Sequence, residues 1–234
     1  MTSSANETSN AILLDRIEKV RSKRGYLLPH HGLLALTAPA LLDGYDACYS
    51  ALTLGQRDLC EFDKEFIWLG ILAVKEEHLA TQHVDKFRTA GGTDSHIIAA
   101  LRIAALCRGV NSFEFGGTHW KSRVSELDAK TLYLSAISDA VRFAEVEEAL
   151  LQLACAAIQT SRRGWSALEW HIEESYRLNV PETYLAEALT YAMFTGSIPN
   201  FIEGCEVWRA MIQSRRVPAS TPFQQWADLD QGGP

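Results

Sequence analysis

The chain has 234 residues, of which 47% are hydrophobic and 22% are charged, and its formal net charge is −7. This length and composition allow a sizeable globular core, and the negative balance argues against a nucleic acid as partner. No apolar stretch is long enough to cross a membrane, and the polar N-terminus lacks the apolar run of a signal peptide. We therefore expect a soluble, cytoplasmic protein with no membrane partner.

Helical signals follow one another from the N-terminus. Residues 1–10 are polar and are predicted to be disordered, and residues 11–59 are predicted to form an N-terminal helical layer. Residues 63–74 are apolar nearly all round, which indicates a buried helix. Thr93 predicts the start of a further helix as its N-cap, and Gly109 predicts where that helix ends.

The second half of the chain has the same character. Residues 124–158 form a long helical tract with an expected break near residues 142–145. Residues 217–234 are punctuated by Pro and Gly and are predicted to be a C-terminal extension. Alternating strand-like runs bounded by hairpin turns do not occur in the sequence. The fold class that follows is all-α.

The sequence contains an internal repeat. The segment that begins at His83 aligns without a gap with the segment that begins at His171. In this alignment residues typical of helix ends face each other, and so do residues typical of helix starts. We therefore predict two tandem helical units, over residues 60–123 and 124–216, related by a pseudo-twofold axis. The matched signals are Gly91 with Asn179, and Thr93-Asp94 with Pro181-Glu182.

Each predicted unit has a Glu at the head of a buried helix, a His in the next helix, and a Gly- or Asn-containing turn before a further helix. The first unit has Lys64-Glu65 and His83, and the second has Glu147-Glu148 and His171. With these motifs, residues 60–212 resemble the carboxymuconolactone decarboxylase and alkylhydroperoxidase D superfamily. The resemblance implies an all-α fold of two such units and association into oligomers. It also implies a pocket that contains the Glu and the His characteristic of the superfamily.

The resemblance is incomplete at the position where peroxidase members carry a CxxC motif before the His. In this chain those two places hold Glu76 and Leu79 in the first unit, and Gly164 and Ala167 in the second. Without a thiol at these places, the disulfide-forming peroxidase chemistry of that superfamily is excluded. The decarboxylase branch is therefore the nearer relative.

The candidate catalytic residues His83, Glu76 and Glu65 all belong to the first unit. If residues 75–83 form one helix, Glu76 and His83 share a face and lie about 10 Å apart along its axis. Glu65 heads the buried helix, and the resemblance implies that it is a partner of His83. Burial moves the pKa of a Glu up and that of a His down, which suits proton transfer near neutrality. The alternatives are a solvated helix start with one structural His and a helix-capping role for Glu65.

Three further residues, His78, His31 and Arg123, are candidates for substrate binding. His78 lies close to Glu76 in the sequence, and His31 belongs to a Pro-His-His-Gly run between apolar segments. An arginine such as Arg123 could bind a substrate carboxylate, with Arg102 and Arg108 as alternatives. No HExxH or paired ExxH motif is present and the five cysteines form no CxxC pair, so we expect no metal, no cofactor and reduced, mostly buried thiols.

These observations predict a cofactor-independent lyase, a decarboxylase or a ring-opening or isomerising enzyme, that acts on a small carboxylated lactone or cyclic acid. His83 would exchange protons with this small anionic organic substrate, assisted by Glu76 or Glu65. Two alternatives stay open: a non-catalytic protein with a degenerate site, and a peroxidase that uses a lone cysteine. Tryptophans expected at exposed edges, together with the resemblance, predict a homo-oligomer, a dimer or a trimer; these are Trp165, Trp170 and Trp208.

Overall fold

The computed structural model describes residues 2–230, and these residues contain helices and turns but no strand. The all-α prediction is therefore confirmed. The chain divides into two compact units, the first ending at Gly55 and the second beginning at Gln56. Both predicted tandem segments belong to the second unit. Within the part of the chain that the structure describes, no helix has the length and apolar character needed to span a membrane.

The first unit is a small helical assembly with its own core. Its apolar core consists of Val20, Ala35 and Leu42, with further leucines and an isoleucine packed against them. The first helix begins at Thr2 and so includes residues for which the sequence predicts disorder, because a polar composition removes the apolar face of a helix without excluding the helix itself. The elements are α1 (Thr2–Arg24), α2 (Pro29–Thr37), α3 (Pro39–Tyr49) and a π-helical turn (Ser50–Leu54).

The second unit opens with the helices that contain the first candidate site. A short turn of 3₁₀ helix, His78–Ala80, separates the first helix of this unit from the second. The helix starts and ends predicted from Thr93 and Gly109 are confirmed, because Thr93 caps one end of α6 and Gly109 ends the other. The elements are α4 (Glu61–Lys75), α5 (Gln82–Thr89), α6 (Asp94–Arg108), α7 (Val110–His119) and α8 (Ala129–Val141).

The remaining helices of the second unit follow a break at the predicted place. After α8 the chain makes a 3₁₀ turn, Arg142–Ala144. Glu145 then adopts a left-handed backbone conformation, which interrupts the helical path before α9. Within its described residues, 217–230, the predicted C-terminal extension contains one short helix, α14, which packs against α13. The elements are α9 (Glu148–Arg162), α10 (Trp165–Arg177), α11 (Glu182–Thr190), α12 (Ala192–Thr195), α13 (Ile198–Gln213) and α14 (Thr221–Ala227).

Two buried helices, α4 and α9, form the centre of the second unit. They pack against each other, and α9 also contacts α6, α10, α11 and α13. Burial of α9 is nearly continuous from Leu150 to Ser161, and burial of α4 runs from Lys64 to Leu72. A helix that is apolar nearly all round must bury side chains on every face, and packing at the centre of a helical bundle achieves this. The prediction of a buried helix over residues 63–74 is confirmed.

The two segments aligned in the sequence share local conformations. Gly91 has a φ of 97° and Asn179 a φ of 56°, so both aligned residues adopt the left-handed conformation that ends a helix. The next helix begins at Asp94 in one segment and at Glu182 in the other. These agreements support the alignment, and a pseudo-twofold relation between the two segments stays a prediction.

Candidate functional site

A hydrogen-bonded carboxylate–imidazole pair lies in the core of the second unit. His83 Nδ1 lies 2.6 Å from Glu65 Oε2, and the two residues are only 2% and 1% exposed. Glu65 projects from the first half of α4, and His83 projects from the start of α5, which packs against α4. Since an ionised carboxylate can only accept, Nδ1 carries the hydrogen and Nε2 is the ring nitrogen that remains for another partner.

An aromatic ring of α4 packs against this pair. The indole of Trp68 stacks on the His83 ring, with 4.9 Å between the ring centroids and 28° between the planes. The ring of Tyr191 also contacts Trp68, with 5.5 Å between the ring centroids. Among the described residues, the buried Nε1 of Trp68 has no hydrogen-bond partner. A buried donor of this kind costs about 1–3 kcal/mol unless a ligand or an ordered water satisfies it.

A second buried carboxylate, Glu187 on α11, lies beyond Tyr191. The hydroxyl of Tyr191 donates to Glu187 Oε1, and burial together with this bond raises the pKa of Tyr191. The other carboxylate oxygen, Oε2, accepts from the backbone amides of Asp58 at 2.7 Å and Leu59 at 3.0 Å. Both oxygens of Glu187 are therefore occupied by donors of the protein itself, which makes its role structural.

Glu76 does not share a helix with His83, so the premise for pairing them is wrong. Helix α4 ends at Lys75, and Glu76 adopts a left-handed conformation with φ 58° that turns the chain away. Its side chain is 75% exposed and forms an ion pair with Arg108, with 2.7 Å between the charged atoms. The hydrogen bond from Arg108 lowers the pKa of Glu76, which keeps this carboxylate ionised and makes it a poor proton donor.

A pocket of about 320 Å³ opens beside the end of α4. Its apolar wall includes Leu69 and Val84, the residues that directly follow Trp68 and His83 in the sequence. His78, predicted to bind substrate, lies in the 3₁₀ turn and lines this pocket together with Glu76. The structure therefore brings two of the predicted site residues to one pocket.

The other two predicted substrate-binding residues are placed elsewhere. His31 is fully buried in the first unit, where its Nε2 lies 2.9 Å from a nitrogen of Arg24 and its Nδ1 lies 3.0 Å from the amide of Leu28. Burial and the positive charges of His30 and Arg24 lower the pKa of His31 to about 4. Arg123 is exposed in the turn between α7 and α8. These placements indicate a structural role for His31 and leave Arg123 outside the pocket described above.

A second buried polar cluster surrounds His171 on α10, and sequence reasoning did not predict it. His171 Nδ1 lies 2.6 Å from Gln152 Oε1, and Nε2 lies 3.1 Å from the hydroxyl of Tyr133. Gln152 is the fifth residue of α9, as Glu65 is the fifth residue of α4. The partner of the second histidine is thus an amide, and neither Glu147 nor Glu148, which head α9, contacts it.

Two thiols complete this cluster. Cys107 Sγ lies 3.2 Å from the hydroxyl of Tyr133, and Cys155 is hydrogen-bonded to Cys107. Both cysteines are fully buried, whereas Cys48 and Cys60 are exposed, so the expectation of mostly buried thiols is correct for only part of the set. Burial raises the pKa of Cys155 well above its usual range, which opposes a role as a peroxide-reducing nucleophile.

The aromatic edge expected to join subunits is only partly exposed. Trp208 is 2% exposed, because its ring packs against Phe223 and Trp226 of α14, with centroid distances of 5.2 and 5.5 Å. The short C-terminal helix therefore covers this tryptophan within the chain. Trp165 and Trp170 are half-buried. The homo-oligomer stays a prediction, and Trp208 is too buried to be one of its interface residues.

No family model, no curated protein and no solved structure matches this chain. The resemblance to the carboxymuconolactone decarboxylase and alkylhydroperoxidase D superfamily therefore depends on the residues alone.

Proposed function

We propose that this protein is a cofactor-independent lyase that acts on a small carboxylated lactone or cyclic acid, with Glu65 and His83 as its acid–base pair. The observation that carries the proposal is the buried 2.6 Å contact between these two side chains. Buried ionisable groups in direct contact are expensive to desolvate and are found disproportionately at functional sites. The residues that match the decarboxylase branch support the same reaction class.

The chemistry follows from the orientation of the imidazole. Because Nδ1 donates to Glu65, Nε2 can take a proton from a substrate carbon or oxygen, and the carboxylate then stabilises the imidazolium. In a decarboxylation, the bond to the carboxylate carbon breaks, carbon dioxide leaves, and its electron pair stays on the substrate as an enolate. His83, having taken up a proton from solvent, would then donate it to the enolate carbon, so that the decarboxylation consumes one proton. In a ring opening, the same proton would go to the leaving oxygen.

The pocket beside α4 has room for a small substrate, although neither Glu65 nor His83 is among its lining residues. Its volume of about 320 Å³ falls at the lower end of the range typical for small-molecule sites. Arg108 is the best placed of the three candidate arginines, because its ion-pair partner Glu76 lines this pocket. A substrate carboxylate could replace Glu76 on the guanidinium. Arg102, by contrast, bonds to the backbone oxygen of Ala140 and packs over the ring of Phe143.

The experiment is a turnover assay of the full chain against a panel of small γ-lactones that carry a carboxylate. Carbon dioxide release reports decarboxylation, and proton NMR in heavy water reports ring opening and the carbon that receives a deuteron. Replacement of a general acid–base residue should lower turnover of an active substrate by about 10²–10⁴-fold, which is the expectation for His83→Asn. His119→Asn is the matched control, because His119 is exposed at the end of α7.

Two outcomes would contradict the proposal. Turnover by His83→Asn within threefold of the wild-type rate would remove His83 from the mechanism. An absence of turnover and of saturable binding across the panel would favour the alternative of a non-catalytic protein that keeps the fold.

A further inference from the structure

Three potential metal ligands meet in the second buried cluster. Cys107 Sγ, Cys155 Sγ and a ring nitrogen of His171 all lie within 4.8 Å of one another, and all three residues are fully buried. They come from three different helices, α6, α9 and α10. In a tetrahedral zinc site with Zn–S bonds of about 2.3 Å, two sulfur ligands lie about 3.8 Å apart. Small side-chain movements are therefore sufficient to close these three atoms around one ion.

The imidazole is oriented for coordination. Gln152 Oε1 lies 2.6 Å from His171 Nδ1 and, as an amide oxygen, can only accept, so Nδ1 carries the hydrogen and Nε2 presents its lone pair to the cluster. Histidine ligands of metals almost always donate their second ring N–H to an acceptor in this way, which fixes both the tautomer and the ring plane. The amide has no charge, so it orients the ring without adding a negative charge to the site.

Tyr133 on α8 stands where a fourth ligand would be. Its hydroxyl oxygen lies 3.1 Å from His171 Nε2 and 3.2 Å from Cys107 Sγ. Neighbouring ligand atoms around a tetrahedral ion are separated by distances of this size, about 3.3–3.8 Å. Gln159 Nε2 donates to the same hydroxyl at 2.9 Å, which orients the oxygen from behind. The Tyr133 oxygen therefore lies at ligand-to-ligand distances from two of the three candidate ligands.

We propose that Cys107, Cys155 and His171 bind one Zn²⁺ ion, with the hydroxyl of Tyr133 in the fourth position. Two thiolates and Zn²⁺ have no net charge together, whereas a monovalent soft ion would leave one negative charge in a fully buried site. Binding converts two thiols to thiolates and releases two protons to solvent, so that zinc replaces both S–H hydrogens. The ion would tie α6, α9 and α10 together through direct bonds.

Zinc content and zinc-dependent stability test this inference on the full chain. We expect about one zinc per chain by elemental analysis after expression with added zinc, and binding that chelators reverse. At a free zinc concentration of about 100 times the Kd, the melting temperature should rise by about 5–10 °C over that of the chelator-treated protein. Replacement of zinc by Co²⁺ should produce a thiolate-to-cobalt charge-transfer band and the intense visible bands of tetrahedral cobalt.

The variants separate ligands from neighbours. Cys107→Ser and Cys155→Ser should reduce zinc to below about a tenth of an ion per chain. Gln152→Ala removes only the residue that orients the imidazole, so affinity should fall by about 10–100-fold while the cobalt spectrum keeps its sulfur band. Because this variant retains all three ligands, it also tests the site if a ligand variant fails to fold. Cys205→Ser, which changes a half-buried cysteine outside the cluster, should retain full zinc content.

Three results would overturn the inference. The first is a wild-type protein that takes up less than about a tenth of an ion per chain from excess zinc. The second is an intact mass two hydrogens lighter with Cys107 and Cys155 joined as a disulfide. The third is equal zinc content in Cys107→Ser and Cys205→Ser. Zinc binding is independent of the reaction proposed for Glu65 and His83, so loss of one proposal leaves the other standing.

Discussion

The pairs Glu65–His83 and Gln152–His171 each join a residue of a central buried helix to a histidine of the following α-helix, and both have a contact of 2.6 Å to Nδ1 of the ring. They differ by one functional group. A carboxylate beside an imidazole stabilises the protonated ring, whereas an amide only orients the neutral ring. Burial lowers the pKa of His171 to about 3, so its ring is neutral near physiological pH. One chain thus presents two buried histidines with the same Nδ1 contact distance, one to a carboxylate and one to an amide.

The surroundings of the two rings extend this difference. His83 stacks on Trp68, and one nearby pocket is lined by the residues next to both rings in the sequence. His171 faces Tyr133 and two thiols. Convergent soft donors suit a bound ion, whereas an indole stacked on an imidazole offers no metal ligand. The functional group at the fifth position of each central helix therefore agrees with the environment of each ring.

The largest effect is expected for Glu65→Gln, which replaces the carboxylate of the first pair by the amide found in the second. The amide keeps an acceptor for Nδ1 but cannot stabilise the imidazolium, so turnover should fall by about 10²-fold or more. The measurement is kcat on an active lactone, with circular dichroism to verify the fold. Glu126→Gln, at an exposed position between α7 and α8, is the control. An unchanged kcat would mean that Glu65 only orients the ring.

The reciprocal change, Gln152→Glu, places a second carboxylate–imidazole pair in the core. We expect the free energy of unfolding of the metal-free protein to fall by about 1–3 kcal/mol at pH 8, because a buried charge is introduced. The loss should be smaller at pH 6, since the pair can bind a proton there and become neutral overall. Chemical denaturation at the two pH values measures this effect. A loss that grows on acidification would contradict the assigned pairing.

His31 shows how a buried histidine that belongs to neither pair affects the pH dependence of stability. Its pKa in the folded chain is about 4, lowered by burial and by the charges of His30 and Arg24, while Asp46 raises it. A lowered pKa means that the unfolded chain binds the proton first, so stability falls as the pH decreases from about 6.5 to about 4. The contribution of one site has a slope of at most about 1.4 kcal/mol per pH unit. His31→Gln should flatten this slope in denaturation titrations, and an equal slope would disprove the assignment.

The smallest effect is expected for Glu76→Gln. This residue is mostly exposed and its ion pair with Arg108 lies at the surface, so the free energy of unfolding should change little. Turnover should change by less than about tenfold, because Glu76 lies outside the acid–base pair. Steady-state kinetics with the same lactone measures this change in turnover. A loss as large as that of Glu65→Gln would return Glu76 to the catalytic machinery.

Local signals in the sequence were sufficient for most helices, but not for the start of α1 or for the break between α4 and α5. The cap residue Thr93, the stop at Gly109 and the apolar run of α4 act over a single turn or a single face, and such signals can be recognised in one sequence. Glu65 and His83 were found through the resemblance. The left-handed turn at Glu76 was not foreseen, because Glu is not a residue type that usually ends a helix in this way.

The thiol cluster could not have been predicted in the same manner. Its members, Cys107, Cys155 and His171, lie on three helices far apart in the sequence, so no spacing motif connects them. The expectation of no metal rested on helical motifs in which the ligands are one turn apart. Only the packing of α6, α9 and α10 brings these side chains together.

The matching positions of Glu65 and Gln152 have a consequence at the level of the gene. Codons for glutamate and glutamine differ only in their first base, so one nucleotide substitution converts either pair into the other type. Each central helix can therefore gain or lose a carboxylate in one mutational step, without an intermediate that lacks a hydrogen-bond acceptor for its histidine. Descendants of this chain could exchange the roles of its two histidines by such a step in each half.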